Sequence, residues 1–125
     1  MKKNVVDSSG WLEYFADGRN ASFFAPSIEN VKQLIVPSVS ILEVFKHVLR
    51  HRSERQAFES IECMLQATVI DLDIEISLNA ARLGVQHKIP LADSIILATG
   101  LAHQATVWTQ DTDFEGLPFV KYIKK

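Results

Sequence analysis

Five acidic residues, Asp7, Glu43, Asp93, Asp111 and Asp113, interrupt stretches that otherwise read as core. Carboxylates that converge repel one another, raise their own pKa values and destabilise the fold unless a cation neutralises them. A set made of hard oxygen ligands suits Mg²⁺ or Mn²⁺. Such an ion keeps several waters, and it suits hydrolysis of a phosphodiester because it activates water and stabilises the leaving oxygen.

The elements that must position these residues follow from hydrophobic period and breakers. Ile89 to Phe114 reads as a helix with Asp93 near its start, a short strand Ala105 to Trp108, and a turn holding Asp111 and Asp113. Upstream, a strand at Asn4 to Val6 ends at Asp7 and hands over to a helix through Trp11 to Phe15. Asp17 to Glu29, with Gly18, Asn20, Pro26 and Ser27 as breakers, is expected to be loop with at most a short helix. Leu34 to Val36 is a second strand, stopped by Pro37.

Four further elements complete the chain. Ser40 to His51 is an amphipathic helix whose stripe Ile41, Phe45, Val48 and Leu49 is assigned to the core. Ser53 to Gln66 follows, with the stripe Ala57, Phe58, Ile61, Met64 and Leu65; then come a weak strand at Val69-Ile70 and a helix marked by Ile74, Leu78, Ala81 and Val85. Phe119 to Ile123 is a last strand. Strands alternating with helices imply right-handed crossovers and a parallel sheet in a layered α/β fold, formed as a single domain over 1–125. The carboxyl ends of such strands form a ligand crevice, which is where Asp7, Glu43, Asp93 and Asp111 fall.

Each acid also has a local structural use. Asp7 fits an N-cap, Ser40 and Glu43 are spaced as a capping box, Asp93 behind Pro90 suits the positive end of a helix, and Asp111 and Asp113 suit a turn. Their joint placement is what favours a metal site.

The 125 residues, 47% hydrophobic and 22% charged, fit one globular domain rather than a disordered chain. A net charge of −2 excludes a general positive field, so contact with nucleic acid needs a local patch. Cys63 alone excludes an intrachain disulfide and a multi-cysteine zinc site. No stretch approaches 18 apolar residues, and Asp7 breaks the early apolar run, so a soluble cytoplasmic protein without a membrane span is expected.

The segments VVDSS around Asp7, PSVSILEV around Glu43, PLADSIILATG around Asp93 and TQDTDF around Asp111 together resemble the PIN-domain ribonucleases, most closely the VapC-type toxins of toxin–antitoxin pairs. The resemblance runs over essentially the whole chain in motif order. It implies a PIN-like three-layer α/β fold with a parallel five-stranded sheet flanked by helices, and a Mg²⁺- or Mn²⁺-dependent endoribonuclease. Asp7, Glu43 and Asp93 take the place of the family's acidic triad, and Asp111 that of the usual fourth acid. Asp113 matches a second acid of the last motif, and Thr109 its polar first position. A cognate antitoxin and a homodimer are implied as partners, with RNA as substrate.

Ser8, Thr109, Lys46 and Arg50 are the candidate substrate contacts. Lys46 and Arg50 share a helix face with Glu43, and they are placed to hold phosphates or to pair with Glu43. His47, His51, His87 and His103 read as scattered, none of them a catalytic base; Trp11 and Trp108 read as core. The alternative function is a non-catalytic receiver-like signalling domain with an acidic phosphoacceptor pocket. That fold wants adjacent acids after the first strand and a lysine after the last core strand, and this chain has neither.

Overall fold

The computed structural model describes residues 2–125. Its five strands are β1 (Lys3–Val6), β2 (Leu34–Pro37), β3 (Thr68–Ile70), β4 (Ala105–Thr109) and β5 (Val120–Tyr122). Its helices are α1 (Ser8–Phe15), α2 (Ala21–Glu29), α3 (Ser38–His51), α4 (Glu54–Met64), α5 (Ile74–His87) and α6 (Leu91–Ala102), with 3-10 turns at Val31–Gln33 and Thr112–Phe114. The strands form one sheet in the order β3-β2-β1-β4-β5, and every neighbouring pair is parallel.

Successive side chains on a strand point to opposite faces, which sorts the core into two layers. Val6, Leu34 and Val36 meet Trp11, Phe24, Ile28, Val44, Val48, Ala57 and Met64 from α1 to α4. Val5, Ile35 and Val107 meet Ile96 and Leu97 of α6 on the other face, where Ile76 and Ala80 of α5 pack against Ala98. Two glycines allow close approach. A Cβ at Gly10 would lie 2.6 Å from the Val6 side chain and 2.7 Å from Phe24, and one at Gly100 would lie 2.8 Å from Val107.

This topology decides where ligands bind. The chain builds β1, β2 and β3 outward on one side and then returns to set β4 beside β1. The order reverses at the β1–β4 junction, and the crevice of an open parallel sheet lies at the carboxyl ends of the strands there. Val6 pairs with Trp108, and the Asp7 amide donates to the Trp108 carbonyl at 3.0 Å, so Asp7 and Thr109 leave the sheet side by side. A receiver-type sheet has the order 2-1-3-4-5, which this sheet does not share.

Several local expectations are corrected. Residues 21–29 form a helix that runs through Pro26. An interior proline costs about 3 kcal/mol, but burying Phe24 and Ile28 returns roughly 1.5–3 kcal/mol each, and that outweighs it. Pro37 does not stop β2 but is its last residue, paired with Ile70. Helix α3 starts two residues early, behind Pro37 with no side-chain cap, so Ser40 is not an N-cap and Glu43 lies beyond the first turn. Ser40 is instead fully buried, and its hydroxyl has no hydrogen-bond partner among the described residues.

The helix stripes shift as well. Ile41, Phe45 and Val48 do pack on the core, but Leu49 is exposed, and the buried line of α3 is Ser40, Val44 and Val48. On α4, Ala57 and Met64 are buried whereas Phe58 and Leu65 are exposed. On α5 the residues that mark the helix, Ile74, Leu78, Ala81 and Val85, are exposed, and Ile76 and Ala80 are its buried residues.

Candidate metal centre

Asp7 caps α1 and holds the end of β1 at the same time. Its Oδ1 accepts from the Gly10 amide at 2.9 Å, Ser9 Oγ donates to both of its oxygens at 2.9 Å, and its Oδ2 accepts from Thr109 Oγ1 at 2.7 Å. Only 2% of the residue is exposed. Burial pushes the Asp7 carboxyl up from 3.8 to about 6, against the pull of those hydrogen bonds, and Asp111 adds to the rise.

Asp111 and Asp113 come from the turn after β4. Thr109 Oγ1, besides donating to Asp7, accepts from the Asp111 amide at 2.9 Å, and Asp111 Oδ1 accepts from the Asp113 amide at 2.9 Å. The turn therefore closes on itself with both carboxylates on the crevice side. Carboxylate oxygens of Asp93, Asp111 and Asp113 lie within 4.8 Å of one another.

Asp93 is the third residue of α6, which Pro90 starts without a side-chain cap. A helix N-terminus favours a carboxylate, yet the Asp93 carboxyl is pushed up to about 7. Partial burial is the largest cause, followed by the charges of Asp111, Asp7, Glu43 and Asp113. Glu43, in the middle of α3, faces the same crevice, and its Oε1 accepts from Ser8 Oγ at 2.6 Å.

The five acids thus share one end of the sheet but not one role. Asp93, Asp111 and Asp113 form the tight group; Asp7 and Glu43 stand at its side, where protein donors occupy Asp7 and Ser8 holds Glu43. Among the described residues the one ion pair is Arg55 with Glu59, at 3.7 Å, so no lysine or arginine neutralises the group. Uncompensated oxygen donors of this kind fit a hard divalent cation.

The other candidates fall as follows. Thr109 is fully buried, and its hydroxyl is spent on Asp7 and Asp111, which makes it a strut rather than a surface for substrate. Ser8 is nearly buried with its hydroxyl on Glu43. Lys46 and Arg50 are exposed one and two turns beyond Glu43, lining with it a depression of about 260 Å³, and neither pairs with it.

His47 and His51 are not scattered: their ring centroids are 4.4 Å apart on α3. Both line a groove of about 300 Å³ between α1, α3 and α4, with Leu12, Phe15 and Val48.

Two supports were not assigned from the sequence. Asp7 was legible as an N-cap, but the donors that hold it, Ser9 Oγ and the Gly10 amide, were not named, although Asp7-Ser8-Ser9-Gly10 at a strand-to-helix junction is an N-cap pattern. Asn20 and Gln110, both buried, bond to each other at 2.9 Å, and Asn20 also donates to the Lys124 carbonyl. Ninety positions separate that pair, so no local pattern announces it.

A three-layer α/β domain with an acidic crevice at its topological switch point is the architecture on which the comparisons bear. The sequence matches the PIN domain family over residues 5–120, and the chain belongs to that family. A search of curated proteins found no match. Among solved structures it is similar to a chain of a toxin–antitoxin complex from Klebsiella pneumoniae, with 22% identity, a TM-score of 0.78, and coverage of 95% of this chain and 96% of that one. It is also similar to VapC20 of Mycobacterium tuberculosis, a sarcin–ricin-loop-cleaving toxin, with 17% identity, a TM-score of 0.77 and coverage of 94% and 97%. A chain of DNA-bound VapBC from Salmonella typhimurium matches at 14% identity and a TM-score of 0.75, with coverage of 99% and 98%. No helix among the described residues is long and apolar enough to cross a membrane.

Proposed function

We propose that this PIN domain is a Mg²⁺- or Mn²⁺-dependent endoribonuclease and the toxin of a type II toxin–antitoxin pair. The observation that carries the reading is the group formed by Asp93, Asp111 and Asp113, with the Asp93 carboxyl driven up to about 7 and no lysine or arginine paired with it among the described residues. When bound there, the metal supplies the charge that activates water and stabilises a leaving phosphodiester oxygen. Asp93, Asp111 and Asp113 hold it, with Asp7 and Glu43 at the margin to orient water.

Lys46 and Arg50 extend the site along α3 and receive phosphates of the RNA strand, since neither forms an ion pair among the described residues. The similarity to chains from toxin–antitoxin complexes supports an antitoxin as partner. Its inhibitory segment lays an arginine over Asp7, Glu43 and Asp93, since a guanidinium matches paired carboxylates. Apolar anchors of the same segment enter the groove beside α3.

Purified protein incubated with RNA and Mn²⁺ tests this reading. Cleavage that needs the metal and vanishes in Asp93→Asn supports it; RNA left intact by a folded, metal-loaded wild type refutes it.

A further inference from the structure

Helix α3 carries two imidazoles one turn apart. His47 and His51 are both exposed, their ring centroids are 4.4 Å apart with the planes tilted by 45°, and neither forms an ion pair among the described residues. Positions i and i+4 of a helix share a face, and a His-x3-His pair there can present two nitrogens to one ion. With metal–nitrogen bonds of about 2.0–2.1 Å, two rings radiating from one ion have centroids about 4.5–5 Å apart. The separation in this chain is close enough that small rotations of two exposed side chains turn one nitrogen of each ring onto a common point.

We propose that His47 and His51 form a binding site for a borderline divalent cation, Zn²⁺, Ni²⁺ or Cu²⁺, distinct from the acidic crevice. Donor type separates the two sites, because imidazole suits the later first-row metals whereas carboxylates suit Mg²⁺ and Mn²⁺. Glu43 lies one turn before His47, but its carboxylate is held by Ser8 and belongs to the crevice. Among the described residues no third histidine, cysteine or carboxylate joins the pair. Water therefore completes the coordination, which makes the site open and exchangeable rather than a closed structural one.

The surroundings act on the choice of ion. Lys46, Arg50 and Arg52 flank the pair, and Glu59 of α4 lines the same groove. Those side-chain cations disfavour an ion held by charge alone. A metal that forms coordinate bonds to nitrogen offsets the repulsion, which salt screens at this exposed surface. Partial burial, followed by the charges of His51 and Arg50, holds His47 below its ordinary 6.5, so its ring is largely neutral at pH 7 and keeps a lone pair for the metal.

Placement gives the ion an effect. Both rings line the groove between α1, α3 and α4 and also the depression beside Glu43. An ion on them stands where the two meet, and its water shell narrows the groove that Leu12, Phe15 and Val48 line.

The test uses Cu²⁺ on the untagged full chain, read by electron paramagnetic resonance. It involves no RNA, so its outcome is separate from the nuclease reading. One equivalent of Cu²⁺ should show hyperfine splitting from two nitrogens in wild type, and equally in Asp93→Asn with Asp111→Asn, where the acidic crevice is disabled. His47→Gln and His51→Gln should each leave one ring nitrogen and raise the Cu²⁺ Kd by roughly tenfold or more, because the second bond of a chelate is an intramolecular event. Both substitutions change exposed side chains only, so the variants should keep the wild-type circular dichroism spectrum. Zn²⁺ should shift the ring-proton resonances of His47 and His51 together and leave those of His87 and His103 in place. A single-nitrogen copper signal in wild type overturns the proposal. So does a two-nitrogen signal that persists in His47→Gln with His51→Gln, or Zn²⁺ that shifts His87 and His103 as much as the pair.

Discussion

Thr109 and Asp7 meet across the topological switch point: Thr109 Oγ1 donates to Asp7 Oδ2 at 2.7 Å while accepting from the Asp111 amide at 2.9 Å. One hydroxyl thus fixes the end of β1 to the turn after β4. Thr109→Val keeps the shape and removes both bonds, leaving a buried carboxylate and a backbone amide without that partner. The variant should lose about 1–3 kcal/mol in urea unfolding, and the Asp7 carboxyl should rise further, because the Thr109 bond now holds it down.

Stability of the metal-free protein should fall as pH rises. The Asp7 and Asp93 carboxyls have folded pKa values near 6 and 7 against an ordinary 3.8. Between those limits the folded state binds more protons than the unfolded chain, so unfolding free energy decreases with pH through that window. The melting temperature should therefore be higher near pH 5 than near pH 8 without metal, and the dependence should shrink in Asp93→Asn. A melting temperature that rises over the same interval in wild type contradicts the placement of these acids.

Mn²⁺ should reverse that trend. An ion bound only by the folded state stabilises it by about 2.7 kcal/mol at a hundredfold excess over its Kd. The gain should grow as pH passes through 7 and Asp93 ionises, and calorimetric titration should show it lost in Asp93→Asn and in Asp111→Asn.

Glu43 and Ser40 can now be separated. Glu43→Gln retains an oxygen for the Ser8 hydroxyl, so it should fold almost as wild type while RNA cleavage falls by orders of magnitude through the lost charge. Ser40 is no cap, and its buried hydroxyl has no hydrogen-bond partner among the described residues. Ser40→Ala should thus leave stability within about 0.5 kcal/mol of wild type or raise it, since no hydrogen bond is lost. A measured loss near the cost of a missing cap would contradict this helix start.

Lys46 and Arg50 should govern RNA affinity through salt. Each phosphate contact on a single strand contributes about 0.7 to the slope of log K against log salt. Lys46→Ala with Arg50→Ala should flatten that slope by about twice this amount while leaving Mn²⁺ binding in place. An unchanged slope would remove both residues from the RNA path.

The primary structure by itself determined the alternation of elements, the parallel sheet and the ends of strands where acids accumulate, because period and breakers are local properties. Asp7, Asp93 and Asp111 are legible for that reason: each sits one to three residues from a strand or helix boundary that apolar period, proline or glycine marks. Glu43 was legible as an acid on the right helix, and the capping box weighed beside that reading is what α3 removes, since Ser40 and Glu43 have capping-box spacing whether the helix begins at Ser38 or at Ser40.

Tertiary packing decided what local pattern leaves degenerate. Helix α5 holds two apolar registers of similar period, and the larger side chains, Ile74, Leu78 and Val85, are the exposed ones. Close packing on α6 selects small residues: Ala80 packs in the cluster with Ala98, and a Cβ at Gly84 would lie only 3.4 Å from Ser94 Oγ. Steric fit between helices outranks total hydrophobicity there, and a single helix viewed alone contains no record of its neighbour's shape. The bond between Asn20 and Gln110 and the approach of Asp93 to Asp111 and Asp113 have the same origin, because each joins segments that only the crossovers of the sheet bring together.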